Sequence, residues 1–423
     1  MARLGAFCFP GTGHINPMTA LARRLEQRGH KVILFGIADT EARVKAASIE
    51  FRLIGAEDYP LGTLQKLDQR LGELNGLATF RFTVERVKNT ARMVLRDGPD
   101  AVRRANLDAM LIDEADMAGN IAEHLRLPFV SIAFFPPLTK DDHIPPFCFS
   151  WTGGRGPISR LRNRLGMRLL SRLASPIYAV VNQQRKAWGL APLNHSTEAL
   201  SPIAQIAQLP EALEFTTNKK PANLFYTGPF VDTRQRPPVD FPWHRLDGRP
   251  LVYASLGTLQ NGSEAIFRTI TEACSGQDLQ LVLSLGGGLD PSRLGPLPGE
   301  PIVVSYAPQL QLLKRAAAVI THAGLNTVLE SLAEGVPLVA IPQGNDQPGV
   351  AARVAAKDVG IVIPNRKLNV QRLRNAVKSV LEENTYREAA RNLQSAMGQI
   401  DGLETAANII EEKLKIRVAH QAA

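Results

Sequence analysis

The feature that most constrains this chain is a repeated order: a short Val/Leu/Ile-rich run, a turn of glycine or polar residues, then an amphipathic stretch. It opens with RLGAFCF, the turn Gly11-Thr12-Gly13-His14, a helix running to Gly29-His30 with Pro17 near its first turn, and the run KVILFGI. A β-loop-α-β order joins parallel strands by a right-handed crossover. Runs with little polar alternation fit a parallel sheet covered on both faces. DAMLID, ending at Asp113-Glu114, and PFVSIAF extend the first series. Around 230–243, FVDTRQRPPVDFPW has three prolines and scattered charges, the composition of a connection. The alternation then restarts through PLVYASLG, LQLVLSLGGG, PIVVSYAPQ, AAVITHAG and PLVAIPQ. At 423 residues the chain exceeds one core's usual reach. The expectation is α/β with two doubly wound domains facing each other across a cleft. Residues 1–228 form the first, 229–242 the linker, 243–400 the second, and 401–423 a C-terminal helix and tail.

Composition narrows the function. With 44% apolar and 21% charged residues the chain is an ordinary globular one. Cys8, Cys148 and Cys274 lie far apart and offer no metal-ligand spacing, which fits a reducing compartment. The longest near-apolar run, LPFVSIAFFPPL from Leu127, is too short to span a bilayer. A cytoplasmic protein is expected. The net charge of +9 would attract phosphorylated substrates or an anionic membrane face. Nucleic acid is not expected as a partner, because zinc-finger spacing, RNA-binding aromatics and long basic blocks are absent from the sequence.

The run AAAVITHAGLNTVLESLAEGVPLVAIPQGNDQ carries the most chemistry. A helix starting just after Ala323-Gly324 offers unpaired N–H groups and its positive dipole end to an anion. Gly324 permits close backbone approach, Asn326 or Thr327 caps the helix or meets the anion, and His322 donates to a phosphate oxygen. Glu330, one turn in, suits a ribose diol. An anion plus a diol makes a nucleotide diphosphate the expected ligand. The motif fits neither a Walker loop nor a nicotinamide fingerprint.

From Ser305 to Gln347 the sequence resembles the donor signature of the nucleotide-sugar glycosyltransferases that include plant natural-product and bacterial macrolide enzymes. The resemblance covers nearly the whole chain and implies two facing Rossmann-like domains of the GT-B type. It implies that Tyr306 stacks on the base and that Gln309 lies beside base and ribose. His322 would hold the diphosphate with Gly324, Asn326 and Thr327, and Gly257 and Thr258 would approach the phosphates. Glu330 would bind ribose, and Asp346 with Gln347 the sugar hydroxyls. Leu325 and Tyr306 stand where plant members usually carry tryptophan. The Gly-His-Ile-Asn-Pro loop and the Pro-Pro-Phe segment look most like microbial zeaxanthin-type glucosyltransferases.

In the N-terminal half, His14 stands at the carboxyl end of the first strand, where open α/β sheets expose ligand-contacting groups. A neutral imidazole there is suited to take a proton from a hydroxyl, given a partner that fixes its tautomer. Asp113, at another strand end, is the candidate, with Glu114 as a backup; the pairing is similar to the family's His–Asp dyad. The expected reaction is inverting transfer of a hexose, glucose from UDP-glucose, to a hydroxyl of a lipophilic small molecule. Asp-x-Asp is absent from the sequence, so neither metal nor cofactor is expected. A nucleotide-sugar epimerase of the same fold and a non-catalytic nucleotide-sugar sensor are the alternatives.

Phe134, Phe135, Phe147 and Trp151 occupy a Pro-rich region and suit a lipophilic acceptor, although Phe134 or Phe135 also fits the end of a core strand. In GPISRLRNRLGMRLLSRLA, Arg160, Arg164, Arg168 and Arg172 recur every four residues beside Leu161, Leu165, Leu169 and Leu173. A basic amphipathic helix at 158–174 would either rest on an anionic inner membrane face or pack its leucines inward.

Overall fold

The computed structural model describes the chain except Glu73, Asn75, Arg155, Asn218, 233–238, 259–262 and 417–423. Part of the expected linker and His420 of the tail therefore lie outside the described residues. The first sheet contains β1 (Arg3–Phe7), β2 (Lys31–Gly36), β3 (Glu50–Leu53), β4 (Ala109–Asp113), β5 (Phe129–Ala133), β6 (Gln205–Ala207) and β7 (Leu224–Tyr226). The second contains β8 (Leu251–Ser255), β9 (Gln280–Ser284), β10 (Ile302–Val304), β11 (Ala316–Thr321), β12 (Leu338–Ala340) and β13 (Gly360–Val362). Pairing is parallel throughout.

The spatial orders are β3-β2-β1-β4-β5-β6-β7 and β10-β9-β8-β11-β12-β13. In each sheet the winding reverses once, between β1 and β4 and between β8 and β11. Crossovers leave those two neighbouring strands on opposite faces, so a crevice opens beyond their carboxyl ends. β4, β5 and β8 are buried at every position, as parallel strands covered on both faces must be.

Two contacts hold the halves together away from the crevices. The guanidinium of Arg353, on the helix Gln347–Ala356, donates to both oxygens of Glu214 at 2.8 and 2.9 Å, and both side chains are buried. The helix Gly402–Leu414 returns to the first half and packs on the helix Thr12–Gln27. There Arg24 and Arg28 pair with Glu404, and Arg28 with Glu411.

One local expectation is corrected. The Gly11–His14 turn is shorter than the sequence implied: Gly11 is the cap, the helix begins at Thr12, and Pro17 lies inside it.

Candidate active site

At the mouth of the first crevice Asp113 ends β4, and its fully buried carboxylate meets three donors. Phe9 N–H donates to Oδ2 and Ala115 N–H to Oδ1, each at 3.0 Å. His14 Nδ1 lies 2.6 Å from Oδ2. The structure thus brings together two residues 99 apart in sequence. With Nδ1–H donating to the carboxylate, the lone pair of the neutral ring is on Nε2. Burial opposes a charged imidazole, but the Asp113 charge and hydrogen bond, helped by Asp346, outweigh it and hold His14 above its ordinary pKa. Glu114 is not the partner. It faces away, accepting from Leu138 N–H and Gln205 Nε2, and burial pushes its carboxyl up to about 8.

At the second crevice His322 follows β11 and Gly257 follows β8. The imidazole stands between two glycines. A Cβ on Gly324 would lie 2.4 Å from Nε2, and one on Gly257 2.6 Å from Cε1. Gly257 also has φ +76°, a region L side chains avoid. Burial holds His322 down to about 4, partly offset by its hydrogen bond to the Ser255 carbonyl. The helix Leu325–Ala333 begins at Gly324 without a side-chain cap. Asn326 and Thr327 therefore do not cap it; they lie inside its first turn, whose N–H groups face the crevice mouth. Further along that helix Glu330 is buried and accepts from Gln309 Nε2 at 2.6 Å, while Tyr253 donates to Gln309 Oε1 at 3.0 Å. The chain Tyr253–Gln309–Glu330 fixes an amide and a carboxylate side by side. Tyr306 is 56% exposed, with its hydroxyl close over Gly287, which leaves a ring face open for stacking. Thr258, which follows Gly257, is exposed.

The two mouths meet. Pro17 has no N–H, so the Gly13 carbonyl four residues before it loses its intrahelical donor. Asn326 Nδ2 supplies one from the other half, at 2.9 Å. Its Oδ1 accepts from Gln208 Nε2 at 2.8 Å, and Thr83 donates to Asn345 at 3.0 Å. These bonds carry Asp346 to the side of the crevice facing His14. Burial raises the Asp346 carboxyl and His14 pulls it back, so the two groups sense each other. Gln347 is buried and its Oε1 accepts from Gln343 and Gly344 N–H, holding the loop around Asp346.

Aromatic rings surround His14. Phe134 and Phe135 have centroids 5.8 and 6.2 Å away. Phe134 is 3% exposed and belongs to the core, with an edge toward His14, so of the proposed acceptor group it finishes the strand layer. Phe135 contacts Phe147 at 5.1 Å, and Phe149 contacts Trp151 at 4.3 Å. Residues the sequence did not single out include Gln208, Glu214 and Arg353, whose partners lie more than a hundred positions away.

Two parallel-sheet halves meeting mouth to mouth form the GT-B architecture of glycosyltransferases. Residues 245–400 match the family described as UDP-glucoronosyl and UDP-glucosyl transferase, and residues 9–139 the glycosyltransferase family 28 N-terminal domain. Zeaxanthin glucosyltransferase of Pantoea ananas is 29% identical over 97% of this chain and 96% of its own. The enzyme of that name from Pseudescherichia vulneris is 28% identical over 96% of each. Among solved structures, the glycotransferase of kitacinnamycin superposes with a TM-score of 0.74 at 22% identity, covering 97% of this chain and 98% of its own. The chain is a UDP-dependent glycosyltransferase of GT-B fold.

Proposed function

We propose that the protein transfers a hexose, glucose, from a UDP-sugar to a hydroxyl of a lipophilic small molecule with inversion at the anomeric carbon. The observation that carries this is the His14–Asp113 pair at 2.6 Å, at one switch point, facing Asp346 and the His322 mouth at the other. His14 Nε2 takes the acceptor's proton, the acceptor oxygen bonds to the anomeric carbon, and the bond from that carbon to the diphosphate oxygen breaks. Asp113 keeps the proton-accepting nitrogen toward the cleft and stabilises the imidazolium. Charge appearing on the leaving diphosphate is met by the uncapped helix end at Leu325 and by Gly257, Thr258 and His322. Tyr306 stacks on the base, Gln309 and Glu330 hold base and ribose, and Asp346 and Gln347 hold sugar hydroxyls.

Donor binding is assigned to 243–400 and acceptor binding to 1–228, joined by 229–242. Phe135, Phe147 and Trp151 form the apolar acceptor side, with the edge of Phe134 beside the base. The names of the two zeaxanthin glucosyltransferases support a hydroxylated carotenoid as the first acceptor to try. The reaction is assigned to the cytoplasm and needs no metal.

Mass spectrometry tests this: the protein with UDP-glucose or TDP-glucose, with and without EDTA, and a panel containing a hydroxycarotenoid and a flavonol. A hexose added from UDP-glucose, with the β configuration and insensitive to EDTA, supports the reading. Turnover of the donor alone points to an epimerase, and saturable UDP binding without transfer to any acceptor points to a sensor.

A further inference from the structure

The helix Pro157–Leu173 turns an apolar stripe outward. Its buried side consists of Asn163, Gly166 and Leu170. On a different side Ile158, Leu161, Leu165 and Leu169, spaced by three, four and four, are 83%, 56%, 53% and 51% exposed. Leu161, Leu165 and Leu169 therefore do not pack inward as a plain surface helix would have them, and of the helix's leucines Leu170 takes the buried side. Single exposed apolar residues are ordinary, but a line of four along one helix is not.

The charge around the stripe says what covers it. The helix has five arginines and no acidic residue. Arg160 and Arg164 pair with Asp142, and Arg162 lies over the Trp151 ring. Arg168 and Arg172 are exposed, and no carboxylate pairs with either among the described residues. At about 100° per residue, Arg162 and Arg168 flank the leucine line and Arg172 continues it. An apolar line bordered by cations, on a chain of net charge +9, complements a surface with anionic headgroups above hydrocarbon. A second copy of the chain would place these arginines against each other.

The inner side of the same helix supports the acceptor region. A Cβ on Gly166 would lie 2.6 Å from the Trp151 ring, and Asn163 Nδ2 donates to the Asp142 carbonyl at 2.9 Å. From Trp151 aromatic contacts pass to Phe149, and Phe147 touches Phe135 beside His14. The outward stripe and the base are thus linked through one aromatic segment.

We infer that the helix Pro157–Leu173 is a peripheral docking surface for anionic phospholipid bilayers, seating Leu161, Leu165 and Leu169 among acyl chains with Arg168 and Arg172 at the headgroups. Docking stands independently of the transfer reaction, and the further statement that a bilayer-dissolved acceptor reaches His14 from this side rests on the proposed function. Flotation of the full-length protein with phosphatidylglycerol/phosphatidylcholine vesicles, against pure phosphatidylcholine, tests it. Binding to the anionic vesicles that weakens with salt is expected. Arg168→Gln/Arg172→Gln is expected to reduce partitioning by about thirtyfold, at about a factor of five per cation removed. Leu161→Gln/Leu165→Gln is expected to abolish it, while both variants keep their thermal transition and their transfer to a detergent-dispersed acceptor. Equal binding to neutral vesicles, or unchanged binding in both double variants, overturns the inference. So does a dimer in sedimentation equilibrium that Leu161→Gln/Leu165→Gln dissociates, which would assign the stripe to a second copy.

Discussion

Replacing Asp113 by asparagine removes one charge and changes almost no volume, yet the geometry predicts two separate losses. Both carboxylate oxygens accept backbone N–H groups, from Phe9 and from Ala115. An amide has only one oxygen, so either orientation sets its NH2 against a backbone donor. A buried donor left without a partner costs about 1–3 kcal/mol, which a thermal or urea transition reads directly. The second loss is kinetic. With the amide NH2 toward His14, Nδ1 becomes the acceptor and Nε2 carries the hydrogen, so the nitrogen facing the acceptor hydroxyl is no longer a base. With the amide oxygen toward His14 the tautomer survives, but the imidazolium loses its counter-charge. The value of general base catalysis sets the fall in kcat at about 10²–10⁴-fold. Steady-state glycoside formation at saturating donor measures it, with UDP binding by calorimetry as the control, expected unchanged. The pH profile supplies an independent sign. His14 works deprotonated and is held above its ordinary pKa, so the rate should fall as pH drops through that raised value. In Asp113→Asn the acid limb should move to lower pH. The same raised pKa gives stability that is fully present below the unfolded-state pKa and is lost as pH rises through the folded one. A folded Asp113→Asn enzyme within about tenfold of wild-type kcat, with an unmoved acid limb, would refute the dyad.

Four further outcomes are expected. Gly324→Ala should weaken UDP binding, because the new Cβ meets Nε2 of His322 at 2.4 Å and overpacking costs about 1–3 kcal/mol; wild-type affinity in calorimetry would sink that reading. His322, held to about 4 in the free protein, should take up a proton when the diphosphate arrives. Calorimetry of UDP binding in two buffers of different ionisation enthalpy reads the uptake, and its absence in His322→Gln confirms the site. Glu214→Gln should destabilise the chain by about 3–5 kcal/mol in denaturant unfolding, because Arg353 is left buried with no carboxylate; a loss near zero would mean that water reaches the pair. Pro17→Ala gives the Gly13 carbonyl an intrahelical donor that competes with Asn326. Its melting temperature should rise while kcat/KM falls, and Asn326→Ala should reproduce the kinetic loss without the gain.

The two crevices were legible because parallel strands advertise themselves. Continuous Val/Leu/Ile runs ending in glycine or polar residues gave strand ends, and ligand-contacting groups gather at strand ends. His14 and Asp113 could therefore be paired across 99 residues without any contact being visible, whereas Gly324 and Gly257, expected to let the backbone approach a phosphate, make room for the His322 ring. What joins the halves was not legible. Glu214 and Arg353 lie in stretches with no local signal, and their pairing is a property of how two finished domains sit together. The long helix Leu77–Ala105, which brings Thr83 to Asn345, went unread because Gly98 and Pro99 interrupt its pattern. Pro17 is the instructive case. Helix rules place a proline in the first turn, which would start the helix close to Pro17. The chain instead keeps the proline inside, where it strips Gly13 of its donor, and the vacancy is filled from the opposite domain by Asn326. Local rules fail at that position because the unit being stabilised is the closed cleft rather than the helix. A proline four residues after a glycine at a strand mouth thus marks a carbonyl reserved for a donor from elsewhere.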